Sequence, residues 1–527
     1  MYNAKVDWGM NNMYCESLFI LNINVKDTRF DSYDLKSDYL RLSGHSIDCL
    51  RDDLGRITDS LSIRSNKARD IQLVYIDDLD KIRAFLYNDI DIDGNRYIIC
   101  NKIEFRSWKP FTKDDPYNVM KDWQNRFVED KYPYLTPSQY IRKRISKRAK
   151  NAAASIYPDS IPKLNIMNKA VHGGVLYHKD DGESVVYNML GYDIISAYIY
   201  SLLFEKHACS PLTITNTNEW SMYLGAEDRG SIGRYEIEYN CIFSVIRCYK
   251  DVNGNNLKNG HHIVDVVLSN IDLNILLNIK QFQCISITCK SLYTFDLDYL
   301  PKEVRLAAAT EFIKKQTLPE DSSARNNQKV IVNSIYGNMS YRIKDILKLD
   351  VSEQKKFIKD NIKSASLCPQ WGVFTMAYTK SNVINLGIQS VGWRYSDTDS
   401  IYCFNDAANI RLFNEFNSKR RERNIELCKK LGYSDIDILC ELGTFKHEST
   451  IKRFIAWGNK MYAYETTDGK VVLKAAGCNK SQINCDPNVI FDINYRPSKG
   501  TCKFTGYDKD HYYEADSYAY MLMMKSM

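Results

Sequence analysis

Three aspartates of this chain have the side-chain type and spacing of a site for divalent metal ions. Asp397 and Asp399 lie in the segment 395–400, Tyr-Ser-Asp-Thr-Asp-Ser, and Asp193 ends a separate apolar stretch. Mg²⁺ prefers octahedral oxygen coordination and takes many ligands from water and substrate phosphates, so few carboxylates suffice. An isolated Asp-x-Asp pair is usually only a turn. The hypothesis of a metal site therefore needs support from other segments.

That support comes from the segment 329–337, which reads Lys-x-x-x-Asn-Ser-x-Tyr-Gly. On a helix, Lys329, Asn333 and Tyr336 share one face, with Arg325 one turn earlier. The two cations suit the phosphates of a triphosphate, and the tyrosine ring suits a base or a sugar. The spacing alone would also fit an ordinary amphipathic helix. Together with the three carboxylates, it favours two-metal phosphoryl transfer, in which ions roughly 4 Å apart activate a hydroxyl and stabilise a leaving pyrophosphate.

The local pattern predicts the elements that position these residues. Residues 185–192 have strand character, which places Asp193 at a strand end, and 394–404 has two strand-like halves around the acidic turn, a β-hairpin signal. Helices are predicted at 302–315 and 325–339. Residues 172–174, His-Gly-Gly, predict a turn into a strand, because glycine supplies backbone angles denied to other residues. Further strands are predicted at 18–25, 71–75, 233–239 and 263–268, and a β-rich stretch at 446–527.

The bulk composition is that of a soluble folded protein with several subdomains. The chain has 527 residues, 44% apolar and 26% charged, without low-complexity tracts. Its 15 cysteines include no Cys-x-x-Cys pair, which argues against a disulfide framework and a zinc ribbon. The longest nearly apolar run, 192–204, is shorter than the roughly 20 residues that cross a bilayer, and the start lacks a signal-peptide pattern. We expect a cytoplasmic protein with no membrane segment.

Taken together, the three chemical segments resemble the motifs of family B DNA polymerases, in the same order along the chain. They are Asp193-x-x-Ser196-Ala197-Tyr198, Lys329-x-x-x-Asn333-Ser334-x-Tyr336-Gly337 and Tyr395-x-Asp397-Thr398-Asp399-Ser400. Other segments resemble the protein-primed branch found in phages and linear plasmids: 172–174, 268–273, 447–450, 460–462 and 474–477. Two positions depart from the family pattern, since His172 replaces an aromatic residue and Ile199 a common proline.

The resemblance implies an α+β fold, the right-hand polymerase fold of palm, fingers and thumb with polymerase insertions. A shortened N-terminal α/β domain would precede it. The expected boundaries are 1–165 for the N-terminal domain, 166–204 for the start of the palm, 205–300 for palm and a terminal-protein-like insertion, 301–345 for the fingers, 346–445 for a second insertion and the palm hairpin, and 446–527 for a thumb-like subdomain.

The resemblance also assigns roles to individual residues. Asp193 and Asp399 would bind two Mg²⁺ ions, for which Mn²⁺ can substitute, assisted by Asp397 and the backbone carbonyl of Ile194. Tyr198 would lie beneath the incoming sugar and select dNTPs. The remaining expected nucleotide contacts are Ala197, Lys315, Arg325, Lys329, Asn333 and Tyr336. The expected contacts to template-primer DNA are Gly173, Gly174, Ser196, Lys460 and Tyr462.

The expected function is template-directed DNA synthesis from a 3′ hydroxyl, with a terminal protein as the priming partner in a virus or linear plasmid. A primer-independent polymerase or primase would use the same carboxylates and stays open. So do a catalytically silent DNA-binding module and, with less support, a two-metal nuclease.

The N-terminal domain departs from the family in a way that bears on proofreading. No Asp-x-Glu pair occurs in residues 1–165, and the segment 140–144, Tyr-Ile-Arg-Lys-Arg, carries arginine where the exonuclease pattern needs a carboxylate. We therefore expect no 3′ to 5′ exonuclease. Net charge is +6, and six cations cluster within 142–150. The cluster fits either a solvated helix face or a grip on single-stranded template or on the priming protein.

Overall fold

The structure is a computed structural model, and its secondary structure falls into two compact units. One unit comprises residues 1–140, 318–327 and 499–527, and the other comprises residues 141–317 and 328–498. The residues that the structure describes are 16–22, 70–76, 90–92, 95–101, 141–142, 144–145, 147–179, 185–320, 322–339, 350–364, 367–475, 490–492, 504–507 and 512–515.

The first unit contains a four-stranded antiparallel sheet. Its strands are β1 (Glu16–Asn22), β2 (Asp70–Ile76), β3 (Ile90–Ile92) and β4 (Asn95–Asn101), in the order β2-β1-β4-β3. β1 and β2 are rich in Leu, Ile, Phe, Val and Tyr, residues that pack well on a pleated surface. The strands predicted near 18–25 and 71–75 are confirmed, with small shifts at their ends.

The second unit holds most of the described helices and strands. Its strands are β5 (Val175–His178), β6 (Val186–Ile194), β7 (Lys206–Ala208), β8 (Thr213–Thr215), β9 (Arg229–Cys241), β10 (Gly260–Ser269), β11 (Phe282–Tyr299), β12 (Tyr395–Thr398), β13 (Ser400–Phe404), β14 (Phe445–Gly458), β15 (Met461–Thr466) and β16 (Val471–Ala475). A further hairpin near the C-terminus of the chain pairs β17 (Phe504–Tyr507) with β18 (Tyr512–Ala515).

The helices alternate with these strands. They are α1 (Lys147–Ile156), α2 (Ile161–Ala170), α3 (Ala197–Phe204), α4 (Asn270–Asn278), α5 (Lys302–Thr317), α6 (Ser323–Met339), α7 (Val351–Ser364), α8 (Pro369–Gln389), α9 (Ala407–Leu431) and α10 (Ile436–Leu439), with 3₁₀ turns at Thr217–Tyr223 and Ser244–Cys248. The two helices predicted at 302–315 and 325–339 are confirmed as α5 and α6. The mixture of helices and antiparallel sheets confirms the α+β class. No helix in the described ranges combines the length and the apolar character needed to span a bilayer.

A seven-stranded antiparallel sheet carries the predicted acidic segments. Its order is β16-β15-β14-β6-β13-β12-β5. β6 is a central strand with an apolar second half, Met-Leu-Gly-Tyr before Asp193, as expected for a strand covered on both faces. The predicted hairpin at 394–404 is confirmed as β12 and β13. Strand pairing thus brings together segments that lie about 200 residues apart in sequence.

The segment between Asp193 and Lys329 contributes a second sheet. Its order is β10-β9-β11-β7, and β8 also pairs with β11. β9 and β10 cover the strands predicted at 233–239 and 263–268, which are confirmed. One face of β9 is buried and the other carries charged side chains, the alternation expected for a sheet with one covered face.

Helix α8 connects the two sheets. Most of its 21 residues are buried, and it contacts α3, α4, β7 and β13. The Trp371 indole N–H donates to the Ala208 carbonyl at 2.9 Å, which fixes the start of α8 against β7. A helix that is apolar on nearly all sides belongs in the core, so α8 is the central support of this unit.

One ion pair lies in the core. The Lys380 ammonium of α8 lies 2.6 Å from Asp272 Oδ1 of α4, and each side chain is 1% exposed. Lys380 also lies over the Tyr249 ring, 4.5 Å from its centroid. Asp272 is held by the Ser269 hydroxyl at 2.8 Å, while Ser269 caps α4 by accepting from the Asp272 amide. The segment 268–273 is therefore a helix cap joined to a buried salt bridge.

Removal of one partner of this pair should destabilise the second unit strongly. Lys380→Met leaves the Asp272 carboxylate buried without its cation, at an expected cost of about 3–5 kcal/mol. Urea denaturation followed by tryptophan fluorescence measures the loss, since Trp371 is buried in the same helix. The control Lys163→Met, which breaks an exposed pair with Asp159, should cost about 1 kcal/mol or less. Addition of Asp272→Asn to Lys380→Met should recover part of the stability, and a single variant as stable as the parent would contradict this account.

Candidate active site

The sheet register brings the three predicted aspartates to one place. Asp193 on β6 pairs with Ser400 on β13, and the Ile194 amide donates to the Asp399 carbonyl at 2.9 Å. The Asp399 amide donates to the Asp397 carbonyl at 2.8 Å, which closes the turn between β12 and β13. Carboxylates from two distant segments therefore lie together, half-buried, at the ends of β6 and β12.

The turn itself has a strained backbone. Thr398 lies in the left-handed region with φ 67°, which is rare for a β-branched residue. Such conformations persist when the surroundings fix them, and they cluster at functional sites. Gly174 is part of those surroundings, because a Cβ at this position would lie 2.8 Å from Thr398 Cγ2. A side chain at residue 174 would displace the acidic turn.

The negative charges in this cluster disfavour one another's ionisation. Burial, followed by the charges of Asp399 and Glu448, raises the pKa of Asp193 to about 8. Burial also raises the pKa of Asp399 to about 6, while the Lys329 ammonium acts in the opposite direction on both groups. Clustered oxygen ligands with unfavourable charge repulsion fit a divalent cation, which would relieve that repulsion.

Ile194 could add a backbone ligand. In the register of β6 and β13, the Asp399 amide would be the ladder donor to the Ile194 carbonyl. That amide donates to Asp397 instead, so the Ile194 carbonyl lacks this ladder bond beside the carboxylates. Within the described ranges, no three His, Cys, Asp or Glu side chains are gathered into a ready-made metal cluster. The arrangement suits an ion that takes further ligands from water and substrate.

Lys460 reaches the acidic cluster from the β14–β15 turn. Its ammonium lies 3.2 Å from Asp397 Oδ1, and its backbone has φ 60°. The Lys460 amide donates to the Tyr395 hydroxyl at 2.8 Å, so the tyrosine of the acidic segment fixes this turn. Tyr462 is buried, with its ring 4.6 Å from the Tyr395 ring. In this structure Lys460 and Tyr462 thus contact the cluster and the core, and their predicted DNA contacts stay predictions.

Helix α6 presents its predicted face to the cluster. The charge of Lys329 acts on both Asp193 and Asp399, and Asn333 is exposed one turn further along. The Tyr336 ring stacks on the Tyr198 ring with centroids 4.2 Å apart and planes at 23°. The motifs around residues 193, 329 and 397 are therefore neighbours in space as well as ordered in sequence.

Two further predicted cations are placed differently. Lys315 of α5 donates to Ser196 Oγ at 2.9 Å, just before Ala197 begins α3. Arg325 belongs to the first compact unit, where its guanidinium donates to the Leu318 carbonyl at 2.8 Å and lies 3.8 Å from Glu320. The predicted phosphate contact of Arg325 stays a prediction.

The reason given for the glycine pair is wrong in one respect. Neither Gly173 nor Gly174 has a positive φ, and a Cβ at Gly173 would meet no atom within 4 Å. Close approach to Thr398 explains Gly174, whereas nothing in the structure explains Gly173. The DNA contacts predicted for both glycines stay predictions.

His172 is buried and bonded to two other segments of the chain. The His172 ring packs edge-on against Tyr249, and its Nδ1 accepts from the Lys250 amide at 3.2 Å. That bond leaves the proton on Nε2, which donates to the Val267 carbonyl at 2.7 Å. His172 therefore joins the segment before β5 to the second sheet.

The basic cluster at 142–150 is partly engaged by protein. Arg142 donates to Asn338 Oδ1 at 3.1 Å, Arg144 lies 3.7 Å from Glu311, and Arg148 lies 3.8 Å from Glu303. Three of its cations thus contact α5 or α6. The prediction of an absent exonuclease depends mainly on residues 1–140, most of which lie outside the described ranges.

Sequence reasoning missed Glu448. It is the extra residue of a β-bulge in β14 between His447 and Ser449, opposite Tyr192 and Gly191 on β6. Bulges redirect side chains and often lie beside active sites. The segment 447–450 was recognised, but the bulge that brings this charge to act on Asp193 depends on the pairing of β14 with β6.

Comparisons with known proteins give a fold and no sequence family. No protein-family model and no curated protein matches the chain. A solved structure of Phi29 DNA polymerase with primer-template DNA, a post-translocation binary complex, has a TM-score of 0.50 and 15% identity over 84% of this chain and 72% of that chain. The ternary complex of Phi29 DNA polymerase with primer-template DNA and incoming nucleotides has a TM-score of 0.46 and 16% identity, covering 66% of this chain and 60% of that chain. The first likeness confirms the predicted polymerase fold.

Neutralisation of Asp193 should stabilise the metal-free protein, increasingly so as pH rises. The pKa of Asp193 is 3.8 in the unfolded chain and about 8 in the folded state. Between these two pH values the folded state holds a proton that the unfolded chain has released. Stability of the parent therefore falls as pH rises through that window, and Asp193→Asn avoids this loss. The variant should melt several degrees above the parent near pH 9, and the gain should be smaller near pH 5.

Differential scanning calorimetry in chelator-treated buffer tests this expectation. Asp159→Asn, at an exposed carboxylate, is the matched control. An equal difference between Asp193→Asn and the parent at both pH values would show that repulsion at Asp193 does not contribute.

Proposed function

We propose that this chain is a template-directed DNA polymerase that adds dNTPs to a 3′ hydroxyl. The observation that carries the proposal is the convergence of Asp193, Asp397 and Asp399 at the ends of β6 and β12, beside Lys329 of α6. The shared fold with Phi29 DNA polymerase supports it. Three carboxylates gathered beside Lys329 favour this proposal over a binding module without catalysis, because phosphoryl transfer with Mg²⁺ needs such ligands.

The carboxylates and the Ile194 carbonyl would hold Mg²⁺. When bound, the metal would stabilise negative charge on the transferring phosphoryl group and make the attacking hydroxyl more acidic. The protein's part is to supply hard oxygen ligands at a fixed sheet edge, with the acidic turn held by Gly174 and the β6–β13 register.

Lys329 and Tyr198 would bind the incoming nucleotide. Lys329 contributes positive charge close to the carboxylates, where a triphosphate would otherwise be repelled. The Tyr198 ring, held flat against Tyr336, offers a rigid surface beneath the sugar. A ring in that place excludes a ribose 2′-hydroxyl sterically, which makes dNTPs the preferred substrates.

Lys460 is the best-placed candidate for a contact to the DNA backbone. About half of its side chain is exposed, and the Tyr395 hydroxyl fixes its backbone. A lysine on such a turn can move from the Asp397 carboxylate to a phosphate, since both are oxygen anions. Priming by a terminal protein, as in replication of a linear viral or plasmid genome, is proposed on the segments at 172–174, 268–273, 447–450, 460–462 and 474–477.

Primer extension tests the reaction itself. With Mg²⁺, dNTPs and a primed template, the parent should extend the primer, and Asp399→Ala should show no extension because a metal ligand is lost. Asp159→Ala is the control for an exposed carboxylate. Binding of DNA without extension by the parent would contradict the proposal, and products that begin with a free triphosphate would identify a primer-independent enzyme.

Sugar selectivity tests the role of Tyr198. Tyr198→Val removes the ring and should reduce the preference for dNTPs over rNTPs by roughly 10- to 100-fold. Single-turnover incorporation of matched dNTP and rNTP pairs measures the preference. Tyr336→Phe keeps the ring stack and should retain selectivity, whereas an unchanged preference in Tyr198→Val would exclude Tyr198 as the discriminating side chain.

A further inference from the structure

The Ser196 hydroxyl makes a contact that its predicted role does not require. It accepts a hydrogen bond from the Lys315 ammonium at 2.9 Å, and the two residues are 119 positions apart in the chain. Ser196 lies three residues after Asp193, and Lys315 lies in the last turn of α5. The bond therefore joins the turn after β6 directly to the helix that precedes α6.

The backbone at Ser196 is unusual. Its φ of 48° and ψ of 58° place it in the left-handed region, although it is not a glycine. The carbonyl of Ser196 accepts from the Tyr200 amide at 3.0 Å, and the preceding Ile195 amide donates to the Thr444 carbonyl at 2.9 Å. Bonds on both sides thus hold a conformation that costs free energy in most residues.

The Ser196 hydroxyl also does not cap α3 in the usual way. Ser196 occupies the N-cap of α3, where a serine side chain usually accepts from a backbone amide of the first turn. No such side-chain bond forms here. The left-handed backbone instead directs Oγ to Lys315, whose ammonium also lies 5.1 Å from the Phe312 ring centroid.

The consequence is a lysine held in place before any substrate arrives. A free lysine side chain samples many rotamers, and their restriction opposes binding. The bond to Ser196 and the ring of Phe312 restrict Lys315 in advance. The same turn touches both helices of the pair, because Tyr198, two residues later, stacks on Tyr336 of α6.

We propose that Ser196 is a positioning residue that acts on the incoming triphosphate through Lys315, and not a contact to DNA. The inference rests on the proposed polymerase function. In this proposal the Lys315 ammonium binds a phosphate of the incoming nucleotide. The Ser196 hydroxyl holds that ammonium in the position where it meets the phosphate. Loss of the hydroxyl should therefore weaken nucleotide binding and spare both DNA binding and the chemical step.

The test is steady-state and pre-steady-state dNTP incorporation by Ser196→Ala on a primed template. KM for dNTP should rise roughly 10-fold or more, the expected effect of losing a hydrogen bond to a charged group. The maximal rate and the Kd for primer-template DNA should stay within about twofold of the parent values, since neither depends on Lys315 in this account.

Matched variants separate the hydroxyl from the backbone. Ser196→Gly relaxes the left-handed conformation and also lacks Oγ, so it should raise KM as Ser196→Ala does. Lys314→Met removes a neighbouring cation from the same helix and should leave KM unchanged. Ser196→Ala added to Lys315→Met should raise KM no further, because the positioned group is already absent.

Opposite results would overturn the inference. If Ser196→Ala binds primer-template DNA more weakly with an unchanged KM for dNTP, Ser196 is a DNA contact and not a positioning residue. A KM effect in Ser196→Ala that Ser196→Gly does not share would assign the effect to backbone strain. Additive KM effects of Ser196→Ala and Lys315→Met would show that the two residues act independently.

A separate measurement keeps this test distinct from that of the polymerase proposal. Melting temperatures of Ser196→Ala, Lys315→Met and the double variant report the contact without any substrate. If the double variant loses less melting temperature than the sum of the two single losses, the hydrogen bond between Ser196 and Lys315 is supported. This result would hold even if the parent did not extend primers, and in that case only the proposed function would fail. Additive losses would contradict the bond itself.

Discussion

The site depends on one constraint: the carboxyl groups of Asp193 and Asp399 are held close together and largely out of water where β6 meets the β12–β13 turn. Asp399 and Glu448 disfavour ionisation of Asp193 there, Glu448 from a bulge, and the cations of nearby lysines oppose that effect. Such a cluster lowers stability, so the rest of the fold must hold it in place. The unusual backbone at Thr398 is part of the same arrangement.

The scaffold meets this demand with rigid, well-buried elements. β6 lies in the middle of a seven-stranded sheet, and α8 links that sheet to the second one through a buried ion pair and an indole hydrogen bond. Cationic side chains approach the aspartates from the β14–β15 turn, from α5 and from α6. Lys460, Lys329 and Lys315 are each placed by a neighbour or by helix geometry, which makes the chemistry a property of several elements and not of one loop.

Local pattern predicted the main elements well, because each has a clear periodicity or turn signal. β6, the β12–β13 hairpin, α5 and α6 all appear where expected, with ends shifted by a few residues. The rationale for Gly174 was wrong, since its constraint is closeness to Thr398 and depends on the pairing of β12 with β5. The contribution of Glu448 was missed for the same reason, as a bulge exists only relative to a partner strand.

The sequence by itself determined which functional groups are present and their order along the chain: three carboxylates, a cationic helix face and an aromatic side chain. Those properties follow from residue type and short-range spacing, which the chain carries locally. Tertiary structure alone decided which charges act on Asp193, that Tyr462 is buried, and that Lys315 meets Ser196. These facts depend on contacts between segments tens to hundreds of residues apart, and strand register and helix packing set such contacts only when the whole unit folds.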